Sequence, residues 1–100
     1  MDFGLSVEEI EKINSVFRKY PNVRNAIIYG SRAKQAYRPY SDIDLVLEGE
    51  NVTLQEIFSI ETDLEALSLP YEFDISSKEK IVSQELLTHI NKVGKIFYIA

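Results

Sequence analysis

Asp42 and Asp44 stand two residues apart in Ser-Asp-Ile-Asp-Leu-Val-Leu. In an extended chain this spacing turns both carboxylates to one face and Ile43 and Leu45 to the other. A third acid, Asp74, lies where Glu72 and Asp74 alternate with Phe73 and Ile75, again giving one acidic and one apolar face. If the two stretches pair in a sheet, Asp74 joins Asp42 and Asp44. Three converging carboxylates repel and raise one another's pKa, a conflict that a hard, oxygen-seeking cation relieves. The expected ion is Mg2+, with Mn2+ as the alternative. Two such ions about 4 Å apart can hold the attacking and leaving oxygens of an in-line phosphoryl transfer. Taken alone, Ser41-Asp42 also fits turn chemistry before a strand, and Asp74 fits an exposed strand carboxylate.

Gly30-Ser31 falls between an apolar strand and an expected helix start. Glycine there lets the backbone approach a ligand, and free N–H groups at a helix start favour an anion. Ser31 adds a hydroxyl donor, and Arg32, Lys34 and Arg38 gather positive charge locally in an acidic chain. This is a phosphate-binding pattern, with Gly30, Ser31 and Arg32 as its centre.

These groups need elements to carry them. Ser6-Val7-Glu8-Glu9 has the form of a capping box, and Val7, Ile10, Ile13, Phe17 and Tyr20 follow at helical spacing until Pro21. Residues 23–29 read as a buried strand, 32–36 as a short helix, 37–41 as a loop around Pro39, and 43–47 as a second strand. Thr53-Leu54-Gln55-Glu56 is a second capping box, opening a helix with Ile57, Ile60, Leu64 and Leu67 on one face. Pro70 leads into a third strand over 71–75. Ser77 is expected to cap a last helix with Ile81, Val82, Leu86, Leu87 and Ile90 turned inward. Gly94 ends that helix before an apolar tail over 95–100, a candidate fourth strand. The order α-β-(α)-β-α-β-α-β predicts an α/β (α+β) class: a small mixed sheet flanked by helices, in one domain over residues 1–100.

Composition narrows the function. The chain contains no cysteine, so thiol nucleophiles, disulfides and zinc–thiolate sites are excluded. A net charge of −5 and a pI near 4.8 oppose direct binding of a nucleic-acid backbone. Apolar runs such as 96–100 fall far short of the roughly 18 residues that span a bilayer, so the reading is a soluble, cytoplasmic protein without membrane contact. No Walker-type loop occurs, and no Ser–His–Asp ordering is plausible.

The stretch GSRAKQAYRPYSDIDLVLEG resembles the signature of the DNA polymerase beta-like nucleotidyltransferase superfamily: a hydrophobic strand, Gly-Ser, a gap of about ten residues, then Asp-hydrophobic-Asp-hydrophobic. A third acid on a later strand, here Asp74, completes the likeness. Over nearly its whole length the chain is most similar to minimal nucleotidyltransferases. The resemblance implies the polymerase beta-like palm fold and transfer of a nucleoside monophosphate, AMP being the expected one, from a magnesium-bound nucleoside triphosphate. It further implies that Gly30 and Ser31 hold the triphosphate, that Asp42 and Asp44 bind two metal ions, and that Asp74 binds the catalytic ion and helps activate an acceptor hydroxyl. The partner implied is a small helical protein of the HEPN type in a toxin–antitoxin pair, modified by the transferase or simply masked by it. A small-molecule acceptor is the third possibility. Larger relatives carry an added helical domain, and one hundred residues are expected to hold the catalytic domain alone, so a homodimer, a helical partner or both are expected to supply that surface, with Ile96-Phe97-Tyr98-Ile99 as a contact or, equally, a core strand.

Three further groups stay outside the expected site. His89 has no second ligand at metal spacing. Tyr37 and Tyr40 suit either stacking on a nucleobase or covering the core. Glu72 suits a solvated edge or a supporting place behind Asp74.

Overall fold

The computed structural model describes residues 2–100. Helix α1, Val7–Phe17, starts at the Ser6 capping box: the Ser6 hydroxyl accepts from the Glu9 amide, and the Glu9 carboxylate accepts from the Ser6 amide. Strand β1, Val23–Tyr29, ends at Gly30, and β2 runs Ile43–Gly49. Helix α2, Leu54–Glu65, opens on the Thr53 capping box. Strand β3, Phe73–Ser77, a 3-10 turn at Lys78–Lys80, helix α3, Gln84–Val93, and β4, Lys95–Ile99, complete the chain. The mixed sheet and flanking helices are those the sequence predicts.

The sheet has the order β3-β2-β1-β4, antiparallel except for the parallel pair β2 and β3. The parallel pair is possible because α2 forms the crossover between its strands. Alternation along β2 divides the interior. Ile43, Leu45 and Leu47 join Ile28, Phe17, Ile60 and Leu64 in the main core, beneath α1 and α2. Val46, Tyr29 and Ile90 form a smaller cluster on the opposite face, beneath α3. Asp44 shares that second face.

Three local expectations need correction. Residues 32–36 form turns rather than a helix, because Gln35 takes a left-handed φ of 61° and the Ala36 amide closes the turn on the Ser31 carbonyl at 2.9 Å. The third strand starts two residues later than expected and continues through Ser77, because Tyr71 is drawn aside over the Arg32 guanidinium, 4.8 Å from ring centroid to the central carbon. Ser77 is therefore a buried strand end, and the α3 cap is Ser83, whose hydroxyl accepts from the Leu86 amide. Val82, expected inside, is 92% exposed because it precedes that cap. The 95–100 tail does form the fourth strand: Phe97 and Tyr98 are buried, while Ile96 and Ile99 stay exposed on this sheet edge.

The helical layer has a polar tie with a readable pH dependence. Tyr20, just after α1, donates to Asp63 of α2 at 2.6 Å. Burial, then the Asp63 hydrogen bond, push the Tyr20 phenol from its ordinary 10.0 to about 12. The same bond, helped by Lys19, holds the Asp63 carboxyl below its ordinary 3.8. A raised phenol contributes stability that is complete below pH 10 and lost as pH rises toward 12. A lowered carboxyl contributes stability present above 3.8 and lost as pH falls below it. Tyr20→Phe should therefore cost about 1 kcal/mol at pH 7, the net contribution of one hydrogen bond. Urea midpoints of the two proteins should converge at both pH extremes; a constant gap across pH would place the effect in packing instead.

Candidate active site

The open face of the sheet carries a row of side chains set by strand register. Tyr29 of β1 pairs with Asp44 of β2, and Asp44 pairs with Asp74 of β3. Direct cross-strand partners point to the same face at a spacing of about 5 Å, so Asp44 stands between a tyrosine and a second carboxylate. Asp42 lies one residue before β2 and is exposed, as is Asp74; Asp44 is half-buried.

Gly30 shapes this row directly. Its φ is +75°, and a Cβ there would collide with Asp44 Oδ2. The missing side chain is thus the space that the Asp44 carboxylate fills, and the Gly-Ser turn and the acidic pair are in contact. Ser31 follows, half-buried, with Lys34 and Arg38 exposed on the same segment.

The charged form of Asp44 is disfavoured. Burial, then Asp74, then Asp42 raise its carboxyl above the ordinary carboxylate range, and Arg32 and His89 partly offset them. The neighbouring Tyr29 phenol is pushed up to about 12, by burial first and then by Asp74 and Asp44. Among the described residues no three His, Asp or Glu side chains converge tightly enough to hold a metal ion. The backbone places Asp44 and Asp74 side by side with Asp42 two residues away. The donor set is all oxygen, and a half-buried carboxyl burdened by two others is what a hard divalent cation relieves, so these residues fit magnesium in chemistry.

Arg32 is not where the phosphate pattern expects it. It is wholly buried, and its guanidinium donates from Nε and Nη2 to the Ser41 carbonyl at 3.1 and 2.8 Å and from Nη1 to the Phe3 carbonyl at 2.8 Å. Its charge is turned inward onto carbonyls, so positive charge at the turn surface comes from Lys34 and Arg38. Tyr37 packs over this guanidinium at 5.4 Å and covers the interior. Tyr40 is 74% exposed and lines a cleft with Gly4, Tyr37, Pro39 and Tyr71. Glu72 points to a different groove, shared with Glu61 and Glu65. His89 is the group that sequence reasoning left out. Its ring meets Tyr29, the cross-strand partner of Asp44, edge-on at 6.2 Å, so it borders the acidic row. The usable signal was its place beside Ile90, the inward residue of α3, but the groups it faces lie on other strands.

Comparison with known proteins bears on the family and the fold. The family model described as polymerase beta, nucleotidyltransferase, matches residues 11–100. No curated protein matches the chain in sequence. Among solved structures, a toxin–antitoxin complex with AMP-PNP contains a chain with TM-score 0.75 and 19% identity, over 91% of this chain and 73% of that one. The complex of tri-AMPylated Shewanella oneidensis HEPN toxin with MNT antitoxin gives 0.69 and 18%, over 93% and 71%. The toxin–antitoxin MntA-HepT gives 0.69 and 18%, over 95% and 74%. At these identities the likeness is one of fold. No helix among the described residues is long and apolar enough to cross a membrane.

Proposed function

The chain belongs to the polymerase beta nucleotidyltransferase family, and from that premise we propose that it transfers a nucleoside monophosphate, AMP in the first instance, from a nucleoside triphosphate to a hydroxyl on a helical partner protein of the HEPN type. The observation that carries this reading is the contact of Gly30 with Asp44, in a row that continues to Asp74. It sets a turn suited to phosphate against carboxylates suited to a divalent cation. A structural neighbour holding AMP-PNP and another with an AMPylated HEPN toxin support the choice of nucleotide and acceptor.

In this mechanism Gly30 and Ser31 receive the triphosphate through backbone N–H groups and the Ser31 hydroxyl. Asp42, Asp44 and Asp74 would hold magnesium, which supplies charge neutralisation and a lowered pKa for the acceptor hydroxyl. The acceptor oxygen attacks the α-phosphorus, a P–O bond forms, and the bond to pyrophosphate breaks as that group leaves. In this reading Asp74, the exposed carboxylate at the outer end of the row, takes the hydroxyl proton.

In a second reading the chain binds nucleotide and masks its partner without turnover, a reading supported by structural neighbours that are toxin–antitoxin complexes. Incubation with α-phosphate-labelled ATP, Mg2+ and lysate of the source organism separates the two. A labelled protein band is expected with wild type and not with the Asp42→Asn/Asp44→Asn double variant. A double variant that labels as strongly as wild type would overturn the assignment. Absence of any band, together with undiminished capture of the partner by the double variant, would favour masking.

A further inference from the structure

Arg32 is wholly buried, and among the described residues no carboxylate pairs with it. Its charge is solvated by the carbonyls of Phe3, Ser41 and Pro39, the last at 3.5 Å, and by the faces of Tyr37 and Tyr71. A buried guanidinium of this kind contributes little to packing that an apolar side chain would not contribute more cheaply. What it adds is direction. Two of its donors converge on one oxygen, the Ser41 carbonyl, and that carbonyl belongs to the peptide unit whose nitrogen is that of Asp42.

We propose that Arg32 is a positioning residue of the acidic site: by clasping the Ser41–Asp42 peptide from inside the core, it fixes where the Asp42 carboxylate stands beside Asp44. The inference rests on reading Asp42 and Asp44 as metal-binding carboxylates. Asp42 lies outside β2 and is exposed, so no strand pairing of its own holds it. The Ser41 hydroxyl accepts from the Arg38 amide at 2.8 Å, and the Ile43 amide donates to the Glu72 carbonyl at 2.9 Å. Arg32 completes the restraint between these two ties. The forked guanidinium is required, because a lysine ammonium donates from a single nitrogen and cannot stand in for Nε, Nη1 and Nη2 at their separate places.

The clasp also reaches the opposite end of the chain. Nη1 is held by the Phe3 carbonyl, and the next residue, Gly4, has a φ of +76° with no room for a side chain: a Cβ would strike the Tyr37 ring and come within 2.9 Å of Arg32 Nη1. A methyl group at Gly4 therefore presses on the clasp from outside, 38 residues before Asp42 and outside the family match.

The test compares wild type, Arg32→Lys and Gly4→Ala by two readouts besides activity. One is Mn2+ affinity, followed by the paramagnetic resonance signal of the free ion; the other is amide hydrogen exchange across residues 41–44. Both variants are expected to bind Mn2+ more weakly, Arg32→Lys by about 10–100-fold, the usual effect of disturbing groups behind metal ligands. Exchange across 41–44 should quicken in both. A folded Arg32→Lys or Gly4→Ala protein with wild-type Mn2+ affinity and exchange overturns the proposal, and if Arg32→Lys does not fold, Gly4→Ala decides alone. Failure of wild type itself to bind Mn2+ overturns the metal reading of Asp42 and Asp44, and the positioning role with it. That failure is distinguishable because it appears before any substitution is made.

Discussion

Asp44→Asn is expected to remove nucleotidyl transfer while leaving the fold as stable as before or more so. Asparagine keeps the size and shape of the side chain over Gly30 but gives up the negative charge and one acceptor oxygen. If Asp44 is a direct metal ligand, as proposed, the loss should exceed the roughly 100-fold that changes behind metal ligands cost. Stability should move the other way. Asp44 is half-buried, with Asp74 its cross-strand partner, and burial and the two neighbouring acids all disfavour its charge. Removing that charge relieves a conflict that exists as long as no cation is bound. The thermal midpoint of Asp44→Asn should equal or exceed that of wild type in EDTA. In excess Mg2+ the order should narrow or reverse, because a cation that binds only the folded wild type stabilises it by mass action. Labelled-ATP transfer and thermal unfolding, each run with and without Mg2+, check both halves. Full transfer by Asp44→Asn would dismiss Asp44 as a ligand, and a lower midpoint in EDTA would mean that its carboxylate has a structural partner.

The contrast between Asp44 and Arg32 shows what could be read from sequence. The period-two pattern of Asp-Ile-Asp-Leu assigned faces to β2 without reference to any other strand, and β2 places Ile43, Leu45 and Leu47 in the core as expected. The capping boxes at Ser6 and Thr53 were equally local, and both form. Arg32 was misread because its neighbours in sequence, Ser31 and Lys34, suggest a phosphate site. Its actual contacts, Phe3, Ser41 and Tyr71, lie 29, 9 and 39 positions away. No spacing rule reports such a cluster. The 3-10 turn after β3 escaped for a related reason: Ser77 has the residue type of a cap, and only its packing into the sheet moves the helix start to Ser83. The pairing of Asp44 with Asp74 occupied a middle position. Each acidic face was legible, but their adjacency depended on β2 and β3 being neighbours, which the crossover through α2 makes possible.

Gly30 offers the other large effect, and its cause can be divided. Gly30→Ala places a Cβ on a residue at φ +75°, where an L-residue costs about 1–2 kcal/mol for backbone conformation alone. The same Cβ collides with Asp44 Oδ2, so the total loss should be larger than the backbone part, and transfer should vanish because Asp44 must move. The collision has a single main partner, which makes it separable. In an Asp44→Ala background the new methyl group finds space, and Gly30→Ala should then cost only the backbone part. The four proteins of this cycle, unfolded in urea, should show a coupling energy of about 0.5–3 kcal/mol, the range for residues in direct contact. An Asp44→Asn background should restore most of the collision, since its Oδ or Nδ occupies the same place. Additive losses in the Asp44→Ala cycle would mean that Gly30 serves only the turn and the incoming phosphate. Coupling confined to the Ala background would mean that one glycine does two things: it turns the chain after β1, and it leaves the space in which the central carboxylate of the site stands.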